Sequence, residues 1–393
     1  MAKMAGKALI LLAFLVGCDD GAGGKGPPTV AGASTRAALV ASVGRDVIVP
    51  TQGAFVREAG ALVVATRALA AAPQDAAAQA TARAAFWRAL EVWQGLEVVQ
   101  VGPAAVPGSR TGGQGLRDRI YAFPTVNPCR VDQELASEGF QAPDFFTTRL
   151  VNAFGFAALE YLLFAEGAEN ACPPQVAPNS DGTWAALTPE VRAARRAAYA
   201  LRLAEGIEAT GKELQAAWSG AFLTAWTTAG QAGSPFASAQ AALDELYAAL
   251  FYVELDLKDV KIGDVAGITA GCQADRCPES AELRLAGRSR EAVIANLQMA
   301  RRVFAGAEGG TGFVHLLREL GAAELADRLL AAADAAIAEV EKLNEPFDVL
   351  AARDPALLRP AYDAVKGLTD LMKSQLATVL NLSVPQEGAA DND

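Results

Sequence analysis

Phe154–Phe164, FGFAALEYLLF, is apolar at helical spacing except for a single carboxylate, Glu160. If that helix faces a bundle interior, desolvation raises the Glu160 pKa unless a cation or donor offsets it. Outward from this stretch the chain reads as all-helical. Alanine is abundant, β-branched runs are short, and apolar residues recur at three and four rather than two. Helices are expected over 35–71, 75–101, 144–165 and 188–229, then over 238–261, 289–305, 322–343 and 355–380. Thr188-Pro189-Glu190 is an N-cap with proline at the first helical position, and Asp354-Pro355 opens the last helix in the same way. Gly233-Ser234-Pro235 separates the two sets. The expected fold is all-α, two tandem four-helix-bundle-like domains over 36–232 and 233–386.

The start of the chain has its own signals. Lys3 and Lys7 precede an apolar run from Ala8 to Val16, and Leu15-Val16-Gly17-Cys18 ends a small-residue cleavage site in cysteine. Residues 1–17 therefore read as a bacterial lipoprotein signal peptide, with cleavage before Cys18 and a lipid on its sulfur. Residues 18–35, rich in Gly, Pro, Ala and Lys, read as a flexible tether. The expected location is the bacterial cell envelope, facing the periplasm and touching membrane only through the lipid. The run from Ala8 is too short for a span of roughly 20 residues, and no later segment is expected to be both long enough and free of charge. The formal net charge is −11 and becomes −13 without Lys3 and Lys7, which argues against nucleic acid as a partner.

Cys129, Cys172, Cys272 and Cys277 remain after Cys18. An even number in an exported chain points to disulfides. Of the three pairings, Cys272–Cys277 as a local clip with Cys129–Cys172 across the Glu160 helix is favoured; a four-cysteine zinc site is the alternative. Two long connections, Gly102–Pro143 and Val265–Ala286, are expected to be irregular and pinned or functional.

Familiar hydrolytic chemistry is not evident. There is no His-Glu-x-x-His and no Gly-x-Ser-x-Gly, and His315, the only histidine, falls in an apolar helical turn. Glu160 is the leading candidate for function. Glu91, Glu97, Asp132 and Glu134 are candidates to join it in an oxygen-only site for a cation such as iron or calcium. Trp87, Trp93, Phe154, Phe156 and Phe164 line either a ligand pocket or, more commonly at helical spacing, the core.

Gly155, Glu160, Tyr161, Leu162, Leu163 and Phe164 together resemble the signature of the imelysin-like family, peptidase family M75: Gly-x-His-x-x-Glu followed by Tyr-Leu-Leu and an aromatic. The histidine position is Ala157. A His and a Glu at i and i+3 share a helix face and can share a metal or a proton; alanine removes half of that pair. The resemblance extends from about 38 to 384, through Pro50, Phe86-Trp87, Trp93, Val101-Gly102-Pro103, Ile120–Pro124, Val131-Asp132, Ala286–Ser289, Asn296-Leu297, Gly312-Phe313 and Pro346-Phe347. Leu380–Val384 departs from it, lacking the Gly-Phe-Asn of many relatives. The resemblance implies two fused helical bundles, an extracytoplasmic location and links to iron uptake. It also places Arg288 and Ser289, in the matched segment of the second half, beside Glu160 as ligand-binding residues or as its structural ion pair. The expectation is a non-peptidase that binds a ligand, cation or partner between its bundles, with iron-uptake or other envelope proteins as partners. An M75-type metallopeptidase with a substituted ligand and a structural envelope scaffold are the alternatives.

Overall fold

The computed structural model describes residues 32–107 and 113–386. The signal peptide, Cys18 and all but the end of the tether lie outside the described residues. The first helix, α1, runs from Ala33 to Ala71. Pro50 has no N–H to donate one turn back, and the helix widens into a π turn at Val43–Ile48 just ahead of it. By length and hydropathy α1 is long and apolar enough to cross a membrane, although Arg36, Arg45, Asp46, Arg57, Glu58 and Arg67 keep it from being free of charge, as expected. It lies instead along the core, with Leu39, Val47, Phe55, Leu62 and Leu69 buried.

Helix α2 (Ala76–Glu97) starts where the Asp75 carboxylate accepts from the N–H groups of Ala77 and Ala78. Two short helices, α3 (Leu116–Ile120) and α4 (Pro128–Ser137), occupy the connection read as irregular. The helix expected over 144–165 is broken into short turns, and only α5 (Gly155–Phe164) is continuous. The break has a local cause. Gly155 sits at φ +76°, and a Cβ there would lie 2.7 Å from the Ile120 carbonyl oxygen, so glycine lets the start of α5 press against α3. Helix α6 (Pro189–Ala217), capped by Thr188, packs on α1 and α5, and α1 also packs on α2.

The second half comprises α7 (Ala239–Leu250), the π-helical α8 (Val253–Asp264), α9 (Ser289–Ala305), α10 (Phe313–Glu319), α11 (Ala323–Glu341), α12 (Phe347–Arg353) and α13 (Arg359–Leu371). Helices α10 and α12 were not expected as separate elements. Helix α9 packs on α11 within this half and on α2 of the other, so one apolar core runs through both. Among the described residues there is no strand beyond an isolated bridge, Pro107 with Gly113, and the fold is all-α. The disulfides are Cys129–Cys172 and Cys272–Cys277.

Candidate functional site

Every residue of α5 except Tyr161 and Phe164 is buried, and Glu160 is only 9% exposed. Its Oε1 accepts from the Ala286 N–H at 2.9 Å, so the second half supplies its partner through backbone. Burial pushes the Glu160 carboxyl up to about 7. The Ala286 and Leu285 N–H groups and Arg284 oppose that rise, and Glu282 adds to it.

Beside it lies a buried polar cluster drawn from both halves. The Lys261 ammonium, on α8, donates to Gln94 Oε1 at 2.7 Å and Asn296 Oδ1 at 2.9 Å. It pairs with Glu282 at 2.9 Å and with Glu97 at 3.6 Å. Glu282 also accepts from Gln94 Nε2 (2.9 Å) and the Tyr121 hydroxyl (2.8 Å). Glu97 accepts from Tyr252 and Trp93, with Arg117 at 3.6 Å. Burial raises Glu97 despite Lys261 and Arg117, and it raises Asp256 as well. Lys261 and Arg117 together serve the carboxylates of Glu97, Glu282 and Asp256, and their attraction does not outweigh the burial.

The structure does not bring all the expected residues together. Arg288 does not pair with Glu160; it is exposed, bonds Glu291 and lies 5.5 Å over the Trp87 ring. Ser289 is buried and its hydroxyl accepts from the Phe347 N–H. Asp132 accepts from the Tyr161 hydroxyl and the Ala171 N–H, Glu134 from Arg130 and Arg149, and Glu91 is exposed. Of these carboxylates only Glu97 belongs to the cluster. His315 is exposed, and its Nδ1 accepts from the Gly312 N–H at the start of α10. Trp93, Phe154 and Phe156 are core, whereas Trp87 and Phe164 are half-buried.

Those two aromatics line a groove of about 640 Å³ between the halves, with Arg83 and Arg88 on one side and Ala286 and Arg288 on the other. Arg83 lies 5.2 Å over the Phe164 ring. The groove thus ends on the backbone segment whose N–H holds Glu160.

Sequence reasoning missed Lys261, Glu282, Gln94 and Tyr252. A signal existed for the first: Leu246, Leu250, Val253 and Leu257 form a buried helical stripe, and Lys261 takes its next place. Glu97 likewise follows Phe86, Leu90 and Trp93 on α2.

The fold and site define an all-α protein whose two halves meet on a buried, carboxylate-rich cluster beneath an arginine- and tryptophan-lined groove. The chain belongs to the imelysin family, Peptidase_M75, whose sequence profile matches residues 48–375. It is similar in fold to an imelysin-like protein from Psychrobacter arcticum 273-4, at 19% identity and a TM-score of 0.69, covering 90% of this chain and 98% of that one. It is similar also to a protein from Parabacteroides distasonis ATCC 8503 described as an iron-regulated protein A precursor, at 16% identity and a TM-score of 0.68, covering 91% and 96%. Among curated proteins none matches significantly.

A metal-dependent reaction of the kind the family name implies does not fit these residues. Ala157 offers no ligand, Glu160 is engaged by backbone, and the neighbouring oxygens already surround an ammonium. Among the described residues no three His, Cys, Asp or Glu side chains converge on a common point suited to a metal ion.

Proposed function

We propose that this protein is an imelysin-like component of the bacterial cell envelope, lipid-anchored at Cys18, that binds a ligand in the groove between two helical bundles (36–232 and 233–386) and is not a peptidase. The observation that carries this reading is the groove itself. Trp87 and Arg288, from opposite halves, stack across it, and its floor at Ala286 is tied to Glu160. A bound molecule there contacts both halves at once. The link to iron uptake rests on the family and on the description of the Parabacteroides relative. With arginines in the groove and, among the described residues, no cluster of protein ligands suited to a bare ion, iron would arrive as an anionic chelate, its carboxylates taken by guanidinium groups.

Calorimetric titration with ferric citrate tests this. Saturable binding, lost in Trp87→Ala and Arg288→Ala, is the expected result. Absence of binding, or binding indifferent to both substitutions, overturns the assignment of the groove. Cleavage of unfolded casein that disappears in Glu160→Gln would sink the non-peptidase reading.

A further inference from the structure

A second cavity, of about 530 Å³, lies on the other side of Arg83, wholly within the first half. Its walls carry Arg83 from α2, Arg192 and Arg196 from the first turns of α6, and Trp184 from the connection between α5 and α6. In a protein of net charge −11 this is an unusual concentration of one sign. None of the three guanidinium groups forms an ion pair within 4 Å among the described residues. Arg83 donates to the Leu163 carbonyl, Arg196 to the Tyr161 carbonyl, and Arg192 lies 5.8 Å from the Trp184 ring centre. Arg196 Nε is buried without a hydrogen-bond partner. Burial lowers the Arg196 pKa, the nearby Arg192 and Arg83 lower it further, and Tyr161 and Asp132 pull the other way. Glu166 also contributes to the lining, but it is exposed.

The connection that carries Trp184 is held in place by bonds that no regular helix requires. Trp184 Nε1 donates to the Ala168 carbonyl at 3.0 Å. Asn179 bonds both Asn170 and the Cys172 carbonyl, and Cys172 is bridged to Cys129 on α4. A connection of this length without a helix is ordinarily a binding loop or a disordered one, and here it is tied at several points. Leu135, Leu162 and Leu163 complete an apolar interior. Three cations without an ion pair within 4 Å among the described residues, over an apolar, aromatic-edged cavity, match a small molecule with an anionic head and an apolar body.

We infer that this cavity is a binding site for an organic anion, a carboxylate or phosphate bearing an apolar group, held by Arg83, Arg192 and Arg196 with Trp184 against its body. The site is separate from the groove between the halves, although Arg83 borders both. Titration calorimetry on the purified full-length protein with phenylphosphate, benzoate and inorganic phosphate tests it. Saturable one-site binding of phenylphosphate or benzoate is expected, and the tighter of the two names the head group. Arg192→Gln, which removes no hydrogen bond or ion pair but only the contact with Trp184 and the charge felt by Glu190 and Arg196, should weaken that binding at least tenfold. Arg288→Ala, in the other groove, should leave it unchanged. No saturable binding of either aromatic anion overturns the proposal. So does binding insensitive to Arg192→Gln in a variant that melts like wild type, and inorganic phosphate binding as tightly as the aromatic anions removes the role of the apolar wall.

Discussion

Replacing Glu160 by glutamine should stabilise the protein at pH 8 and change it little at pH 5. In the fold the Glu160 carboxyl is pushed from its ordinary 4.5 up to about 7, chiefly by burial. Between those values the folded chain holds a proton that the unfolded chain has released. Stability from this group is therefore complete below the unfolded value, falls as pH rises through the window, and is lost above about 7. At 1.36 kcal/mol per pH unit the gap amounts to about 3 kcal/mol, most of it expressed between pH 5 and 8. Glutamine mimics the protonated carboxyl and keeps an oxygen to accept from the Ala286 N–H. Urea unfolding of wild type and Glu160→Gln at both pH values gives the required double difference, in which the titrations of Glu97, Asp256 and Asp132 cancel. The variant should gain about 2–3 kcal/mol on wild type between pH 5 and pH 8. A difference independent of pH, or one of opposite sign, would show that Glu160 is ionised in the fold and that its burial is compensated by a partner charge.

Three further outcomes follow from the packing. Lys261→Met leaves Glu97 and Glu282 buried beside each other without their ammonium and should cost about 3–5 kcal/mol; a loss below about 1 kcal/mol in urea melts would mean the cluster relaxes by admitting water or protons. Removing Cys129–Cys172, a separation of 43 residues, should lower stability by about 4 kcal/mol, against about 2 for Cys272–Cys277 at a separation of 5, with the reverse order in thermal melts refuting the chain-entropy reasoning. Gly155→Ala must fit a Cβ 2.7 Å from the Ile120 carbonyl at φ +76°, so a destabilisation greater than about 1 kcal/mol is expected, and a neutral result would refute that reading of the α5 start.

The all-α class and the long helices were legible because their apolar periodicity is local, and the caps at Asp75 and Thr188 stand in the sequence as printed. The break before α5 was not legible: Phe154-Gly155-Phe156 is as apolar as a helix interior, and only the approach of α3 makes Gly155 a turn. Helix α3 has only five residues, too few for a period to show, whereas α4 does carry an amphipathic pattern and an Asn127-Pro128 start that reading the connection as irregular passed over. Glu160 was found because it stands alone in an apolar run. Lys261 was obscured for the opposite reason, since it stands in a segment with other charges and only its register with the apolar stripe marks it; Glu97 was named, but for a cation site with Glu160 rather than as a partner of Lys261. Arg288 was expected at Glu160 from its place in the matched segment, but its side chain is drawn outward by Glu291 and Trp87, leaving the Ala286 N–H as the group that reaches inward.

The Lys261 cluster explains why a polar site sits in the middle of an otherwise apolar contact. Its members come from α2 (Gln94, Glu97), α8 (Lys261), α9 (Asn296) and the connection before α9 (Glu282), so both halves contribute. Apolar side chains would tolerate a shift of one helix along another, because leucine and alanine pack in several registers. Sliding α2 by one turn, about 5.4 Å, would separate Gln94 and Glu97 from Lys261 and strand charges in the core. The cost of a buried polar network is thereby turned into a single register between the halves. That register also sets the height of Ala286 above Glu160 and the distance from Arg288 to Trp87, which are the dimensions of the groove. The carboxylates and amides of this contact are thus gathered around an ammonium that the chain itself supplies.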